Sequence, residues 1–125
     1  MQRTLAIARN LSLCLAFGLA ATQVHAAGAL AIDSNQGLQY GFAYDYPDLS
    51  QAQDRALSEC GSGCEVVLDF ESGCAAYAAD QVNGSTAYGW GADFNAGNAQ
   101  ARAISECQER GGNACVVRSW GCNSE

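Results

Sequence analysis

Two stretches of the chain, YGFAYDYPDLSQAQDRALSEC at residues 40–60 and YGWGADFNAGNAQARAISEC at residues 88–107, follow one pattern. Each begins with Tyr-Gly-aromatic, and its small and aromatic residues alternate as in a half-buried strand. Each continues into a run in which Ala, Leu or Ile, and a final Cys recur at helical spacing. Downstream, Cys64-Glu-Val-Val matches Cys115-Val-Val, and the offset between the copies stays near 47 residues apart from one or two small gaps. The sequence therefore predicts a duplicated unit.

The residues around these stretches predict the order strand, strand, helix, strand in each copy. Turn-forming residues at 33–37 and 80–85 separate an apolar strand from the aromatic strand that follows it. Asp48 and Asn95 are placed as helix N-caps, and Gly61 and Gly111-Gly112 as helix ends. We therefore expect an α+β fold, in which two tandem strand-strand-helix-strand repeats, at about 28–73 and 74–123, form one mostly antiparallel sheet with two helices on one face.

The first 26 residues are typical of a signal peptide. Arg3 and Arg9 precede an apolar stretch of about ten residues, which is too short to span a bilayer. Val24 and Ala26 then supply the small residues that a signal peptidase requires. We expect cleavage after Ala26, a single mature domain at 27–125, and a secreted or periplasmic location.

Charge narrows the range of partners. The full chain has a formal net charge of −7, and loss of Arg3 and Arg9 leaves four arginines against thirteen acidic residues, about −9. The single His lies in the predicted signal peptide, and the sequence has no Lys. Nucleic acids and anionic membranes are therefore poor partners, because both are bound through cationic side chains. A basic protein is the electrostatically favoured partner, and the oligomeric state is left open.

The mature cysteines predict a disulfide framework. They are Cys60, Cys64, Cys74, Cys107, Cys115 and Cys122, an even number in a short exported chain. Symmetry between the copies favours the local bridges Cys60–Cys64 and Cys107–Cys115, which leaves Cys74 and Cys122 to join the copies. Other pairings stay open at this point. Zinc is disfavoured because neither Cys-x-x-Cys knuckles nor mature His ligands are present, and no cofactor is expected.

Few residues offer catalytic chemistry. Without mature His or Lys, only carboxylate pairs remain: Asp33 with Asp80, and Asp45 with Asp93. These residues stand in equivalent turns and helix entries, where Asp is favoured for local hydrogen bonding. We therefore expect a protein that is not an enzyme.

The aromatic residues are the best functional candidates. Tyr40, Phe42, Tyr44, Tyr88 and Trp90 lie on the two aromatic strands, where alternate residues share a face. If that face packs under the helix, the rings belong to the core. If it faces outward, it is a candidate protein-binding surface, because Tyr and Trp are favoured anchors. Arg55 with Glu59 and Arg102 with Glu106 are predicted to pair along the helices.

The cysteine framework, together with Tyr88-Gly-Trp-Gly and the closing Trp120-Gly-Cys-Asn, resembles the family catalogued as domain of unknown function 4189. The resemblance implies a bacterial exported protein, and some members are discussed as host-directed effectors. It supplies no catalytic residues. We expect an exported, non-enzymatic protein-binding module, such as an inhibitor or an envelope-protective protein. The alternatives are a secreted effector that acts on host or competitor cells, and a small carboxylate-dependent hydrolase.

Overall fold

The computed structural model describes residues 26–33 and 38–124. The predicted signal peptide lies outside the described residues apart from Ala26, and so does the turn at 34–37. The described residues form, in chain order, β1 (Ala27–Asp33), β2 (Tyr40–Tyr46), α1 (Leu49–Cys60), β3 (Cys64–Phe70), β4 (Cys74–Asp80), β5 (Tyr88–Asp93), α2 (Ala96–Glu109) and β6 (Cys115–Cys122). The predicted α+β class and element order are confirmed.

The strands form two antiparallel sheets of three strands each, in the orders β2-β1-β3 and β5-β4-β6. We call β1 to β3 with α1 the first unit, and β4 to β6 with α2 the second unit. The prediction of one continuous sheet is wrong. The apolar strands β1 and β4 each pair with two neighbours of their own unit, so that each closes a separate sheet.

Each central strand is buried on both faces, and the two faces differ in side-chain size. In β1 the alanines at odd positions pack against α1, whereas Leu30 and Ile32 point the opposite way. In β4, Tyr77 and Ala79 point away from α2 and join Leu30 and Ile32 in one buried cluster. The layers are therefore α1, first sheet, second sheet, α2. The prediction that both helices cover one face is wrong, because the central strand of each sheet is apolar on both faces and packs against its own helix on one and the other sheet on the other.

Glycines on the aromatic strands allow the helices to lie close to the sheets. A Cβ placed on Gly41 of β2 would collide with the backbone oxygen of Ala56 in α1. A Cβ on Gly89 of β5 would collide with the backbone nitrogen of Cys107 in α2. The Tyr-Gly-aromatic motif thus directs glycine toward the helix and the two rings toward the opposite sheet.

The predicted helix starts are confirmed. The side chain of Asp48 accepts a hydrogen bond from the backbone N–H of Gln51 at 2.9 Å, and Asn95 accepts one from Asn98 at 2.9 Å. Gly61 caps the end of α1, as predicted, with φ 102°. The second helix ends one residue earlier than predicted, with Arg110 as its C-cap.

The three predicted disulfides, Cys60–Cys64, Cys107–Cys115 and Cys74–Cys122, are confirmed. The expected role of the third bridge is wrong. Cys74 and Cys122 are direct neighbours on β4 and β6, so their bridge lies within the second sheet rather than between the units. Neither described helix has the length and apolar character required to cross a membrane.

Candidate functional site

The five aromatic residues of the predicted binding surface fall into two groups. Four are half-buried and pack against the cluster between the sheets: Tyr40, Phe42, Tyr88 and Trp90. The fully buried Tyr77 lies among them, with ring centroids 5.0 Å from Tyr40 and 6.5 Å from Tyr88. Burial raises the pKa of Tyr77 to about 12, so its hydroxyl stays protonated at neutral pH. These four rings therefore fill the space between the sheets and expose only part of their surface.

Arginines lie over the exposed parts of these rings. The guanidinium carbon of Arg110, at the end of α2, is 4.9 Å from the ring centroid of Tyr88 and 5.2 Å from that of Trp90. Arg118 lies 5.8 Å from the centroid of Tyr40, whose hydroxyl donates to the backbone oxygen of Arg118 at 3.3 Å. The aromatic strand of each unit thus has an arginine against it, and both arginines come from the second unit, Arg110 from the end of α2 and Arg118 from β6.

Tyr44, the fifth predicted residue, belongs to a more exposed group of aromatic side chains. It is 43% exposed, and Phe94 and Trp120 are 82% and 50% exposed. Phe94 follows the β5 residue that pairs with Cys74, Trp120 is two residues before Cys122 on β6, and Tyr44 of the first unit contacts Gly121 of β6. We call Tyr44, Phe94 and Trp120 the bridge-end surface. The ring of Tyr44 lies 2.6 Å from the position that a Cβ on Gly121 would take, so it covers the backbone of β6 next to Trp120.

Pairing within the second sheet fixes the other two members of the bridge-end surface. Cys74 pairs with Asp93 on one side and with Cys122 on the other, so Phe94 and Trp120 flank the bridge. The predicted binding surface did not include Phe94 or Trp120. The aromatic character of both residues is plain in the sequence, but their exposure depends on the edge positions of β5 and β6, which only the sheet order reveals.

The carboxylate of Asp45 joins the two units instead of facing a substrate. Asp45 adopts φ 64°, and its Oδ1 accepts hydrogen bonds from the backbone N–H of Ser124 at 2.6 Å and from the Ser124 hydroxyl at 2.7 Å. These bonds, the backbone one first, lower the pKa of Asp45. The buried Asn123 side chain accepts from the backbone N–H of Asp45 at 2.8 Å and donates to the backbone oxygen of Phe70 at 3.0 Å. Asn123 and Ser124 therefore hold the second unit against the first through these hydrogen bonds, which we call the clasp.

Asp80 also has a structural role. Its carboxylate accepts backbone N–H groups from Val82 at 3.2 Å, Asn113 at 3.3 Å and Ala114 at 2.9 Å, which ties the β4–β5 turn to the loop before β6. Its pKa is lowered, first by a hydrogen bond from the Ser85 side chain. Asp33, proposed as its catalytic counterpart, ends β1 in the other sheet.

Asp93 organises the start of α2. Its Oδ1 accepts the backbone N–H of Asn95 at 2.9 Å, which is the main reason its pKa is lowered, and its Oδ2 lies 3.6 Å from Nε of Arg102. The prediction that Arg102 pairs with Glu106 is therefore wrong. Glu106 lies 3.8 Å from Arg110 instead, whereas the predicted Arg55–Glu59 pair is present at 2.8 Å.

Within residues 26–33 and 38–124, no group of three or more His, Cys, Asp or Glu side chains is arranged to hold a metal ion. A cleft of about 700 Å³ lies by the β4–β5 turn and is lined by Leu38, Val82, Val117 and Arg118 among others. Asp80 is the only acidic residue among the described lining, and its oxygens already accept backbone hydrogen bonds.

Comparison with known proteins places the chain in a family. Comparison with curated proteins and with solved structures gave no match. A family model described as domain of unknown function (DUF4189) matches residues 27–122, which span all eight strands and helices. The chain belongs to the DUF4189 family.

Proposed function

We propose that this protein is an exported, non-enzymatic module that binds another protein through the bridge-end surface. The observation that carries the proposal is the exposure of Phe94, Trp120 and Tyr44 on a frame that disulfides hold in place. Most large apolar side chains of the described residues are buried or half-buried. Exposed apolar side chains such as these three are typical of surfaces that bind a partner.

The frame around the bridge-end surface is well suited to binding. Phe94 directly follows β5, Trp120 lies within β6, and the Cys74–Cys122 bridge links β6 to β4, the strand between β5 and β6. Aromatic anchors on rigid elements lose little conformational entropy when a partner binds. Tyr and Trp are also among the residues that contribute most to binding free energy at protein interfaces.

Charge supports a basic partner. The chain carries a formal net charge of −7, and three of its described arginines already pair with a carboxylate of the same chain: Arg55, Arg102 and Arg110. A surface with an excess of carboxylates attracts basic proteins and accelerates their association, an effect that salt screens. An inhibitor or an envelope-protective protein would both use such a surface.

The disulfides support an exported location. Three bridges in a small domain are typical of proteins that fold in an oxidising compartment, such as the periplasm or the extracellular space. The hydrogen bonding of Asp45, Asp80 and Asp93 supports a non-enzymatic role, because carboxylates that accept backbone N–H groups are poorly placed to transfer protons to a substrate.

A capture experiment with matched variants tests the proposal. The mature protein is immobilised as wild type, as Phe94→Ser/Trp120→Asp, and as the control Leu38→Ser/Val82→Ser. The control removes two exposed apolar side chains at the opposite end of the strands, where Leu38 and Val82 are 61% and 47% exposed. Proteins retained from envelope and secreted fractions at low and high salt are then quantified by mass spectrometry.

The proposal predicts at least one basic protein that wild type and control retain and the Phe94→Ser/Trp120→Asp variant does not, with weaker retention at high salt. If every retained protein binds all three forms equally, the bridge-end surface is not the binding site.

A further inference from the structure

We propose that Tyr88, Trp90 and Glu106 form a receptor for an arginine side chain of the partner, and that Arg110 occupies this receptor in the free protein. The proposal rests on the proposed function, because it names the chemistry by which a basic partner is recognised. It concerns a different part of the surface, on the open edge of β5 beside α2.

The rings and the carboxylate already provide what a guanidinium requires. The rings of Tyr88 and Trp90 are stacked, with centroids 6.0 Å apart and planes 19° from parallel. The guanidinium of Arg110 lies within 5.2 Å of both centroids, and its Nη2 lies 3.8 Å from Oε1 of Glu106. A planar cation stacked on aromatic rings and paired with a carboxylate is the arrangement that arginine forms better than lysine.

Arg110 is held weakly enough to be displaced. Its side chain is 41% exposed, and it follows the last residue of α2 and precedes Gly111, which adopts φ 99°. Exposed cation–π contacts and exposed ion pairs are each weak, and both are screened by water and salt. An arginine delivered by a partner that binds elsewhere on the protein can therefore replace Arg110 at little cost.

Space for an incoming side chain lies next to the rings. A cleft of about 200 Å³ is lined by Trp90, Gly91, Arg102, Ser105, Glu106 and Glu109. Its two glutamates favour a cation. Its one arginine, Arg102, is paired with Asp93 at 3.6 Å, so the charge of Arg102 is partly compensated.

The corresponding place in the first unit lacks this receptor. There α1 ends at Cys60 and is followed at once by Gly61, so no arginine extends from the helix end over Tyr40 and Phe42. The Arg55–Glu59 pair of α1 resembles Arg110–Glu106 in spacing and exposure, yet Arg55 lies over no aromatic ring in the described part of the chain. Arg55→Ala is therefore a matched control for Arg110→Ala, because both remove one exposed arginine and change the net charge equally.

Two-dimensional NMR of the mature protein tests the inference. The probes are a Gly/Ser decapeptide with one central arginine and the same peptide with citrulline, which keeps the shape of arginine without its charge. The indole N–H peaks of Trp90 and Trp120 are assigned with Trp120→Phe and followed separately during titration. Arg110→Ala is compared with Arg55→Ala, and Arg110→Ala/Glu106→Gln with Arg110→Ala/Glu59→Gln.

The inference predicts that the arginine peptide shifts the Trp90 peak and binds Arg110→Ala about two- to fivefold more tightly than Arg55→Ala, the factor expected when one exposed cation–π contact is freed. Glu106→Gln should reverse the gain, and citrulline should cause no shift. Equal affinities of the two arginine variants, equal effects of citrulline, or shifts confined to Trp120 would overturn it. Because the readout is Trp90, the result does not depend on whether capture through Phe94 and Trp120 succeeds.

Discussion

The two units share a framework but differ along their outer edge strands. The pairing registers place Glu65 and Asp69 of β3 at the positions that Val116 and Trp120 occupy in β6. Charged side chains on an edge strand discourage other chains from pairing or packing there, and β3 has this protection. The strand β6 lacks it at the same two positions and exposes Trp120 instead. On the proposed function, we therefore assign binding to the second unit and regard the first unit as the protected half.

A second difference lies in the aromatic strands. β5 pairs with β4 without interruption, whereas β2 shifts register against β1 between Ala27 and Ala29. Asp45 lies in this irregular segment with φ 64°, and the ladder places Tyr46, not Asp45, opposite the position where Asp93 pairs in the second unit. Two carboxylates that align in sequence therefore have different roles. Asp45 accepts hydrogen bonds from the second unit, whereas Asp93 accepts a hydrogen bond at the start of α2 in its own unit.

The largest expected loss of stability follows removal of the Cys74–Cys122 bridge, which is unique to the second unit, and exceeds the loss for either local bridge. On the chain-entropy model, removing Cys74–Cys122, with a sequence separation of 48, costs about 4 kcal/mol of unfolding free energy. Removing Cys107–Cys115 or Cys60–Cys64, with separations of 8 and 4, costs about 2 to 3 kcal/mol. Denaturant unfolding of the three double Cys→Ala variants measures these differences. Equal losses would show that loop length does not govern the contribution of the bridges.

The second-largest expected loss of stability is that of replacing the glycines that face the helices. Gly41→Ala and Gly89→Ala should each lower the free energy of unfolding by about 3 kcal/mol, because the added methyl group meets helix backbone that cannot move aside. Gly91→Ala should cost less. The added Cβ would lie 2.5 Å from the Cβ of Arg102 and 2.9 Å from the backbone oxygen of Ala99, but the first unit accommodates Ala43 at the same place. Thermal unfolding of the three variants measures these losses of stability. A Gly91→Ala variant as unstable as Gly41→Ala would contradict the proposed equivalence of the units.

The clasp between the units and the start of α2 both depend on pH, but only the clasp depends on Ser124. The folded pKa of Asp45 and of Asp93 is lowered, so each stabilises the fold above about pH 4, the ordinary Asp value, and loses this contribution as pH falls through the lowered pKa. Ser124→Pro removes both donors to Asp45 and should return the pKa of that carboxyl toward the ordinary value. Ser124→Ala, which keeps the backbone N–H, should have a smaller effect.

Carboxyl NMR titration measures both side chains in the same sample. The pKa of Asp93 should not respond to either Ser124 variant, because its partners Asn95, Asn98 and Arg102 all belong to the second unit. A parallel rise of both pKa values would mean that the variants loosen the whole fold and do more than break the clasp.

The smallest expected effect on stability is that of Trp120→Asp, which gives β6 the residue type that β3 has at the same position. Because Trp120 is 50% exposed, its replacement should change the free energy of unfolding by about 1 kcal/mol or less. A much larger loss in denaturant unfolding would identify Trp120 as a core residue and remove it from the candidate binding surface.

Much of the local structure could be predicted from the sequence. The N-caps Asp48 and Asn95, the helical stripes and the two local bridges follow from short-range patterns, and elimination then pairs Cys74 with Cys122. The division into two sheets could not be predicted in the same way. Its one sequence clue is that the residues of β1 and β4 alternate between small side chains toward a helix and larger ones toward the other sheet, as Leu30 and Tyr77 do.

The candidate site was harder to predict than the fold. A period-two pattern says that Tyr40 and Phe42 share a face, but it does not say that this face meets a second sheet. Exposure of Phe94 and Trp120 depends on which strands are edges, and strand order is a long-range property of the chain. The clasp by Asn123 and Ser124 depends on one irregular residue in β2, Asp45, which no repeat pattern marks.

The most direct test of the division between a protected and a binding unit is the dissociation constant of the captured partner for three forms of the protein. Phe94→Ser/Trp120→Asp should weaken binding about tenfold or more, as loss of aromatic anchors does at protein interfaces. The control Leu38→Ser/Val82→Ser, changed at the opposite end, should stay within about twofold of wild type, the range typical of peripheral positions. Equal losses in the two double variants, or no loss in either, would contradict the assignment of binding to the bridge-end surface.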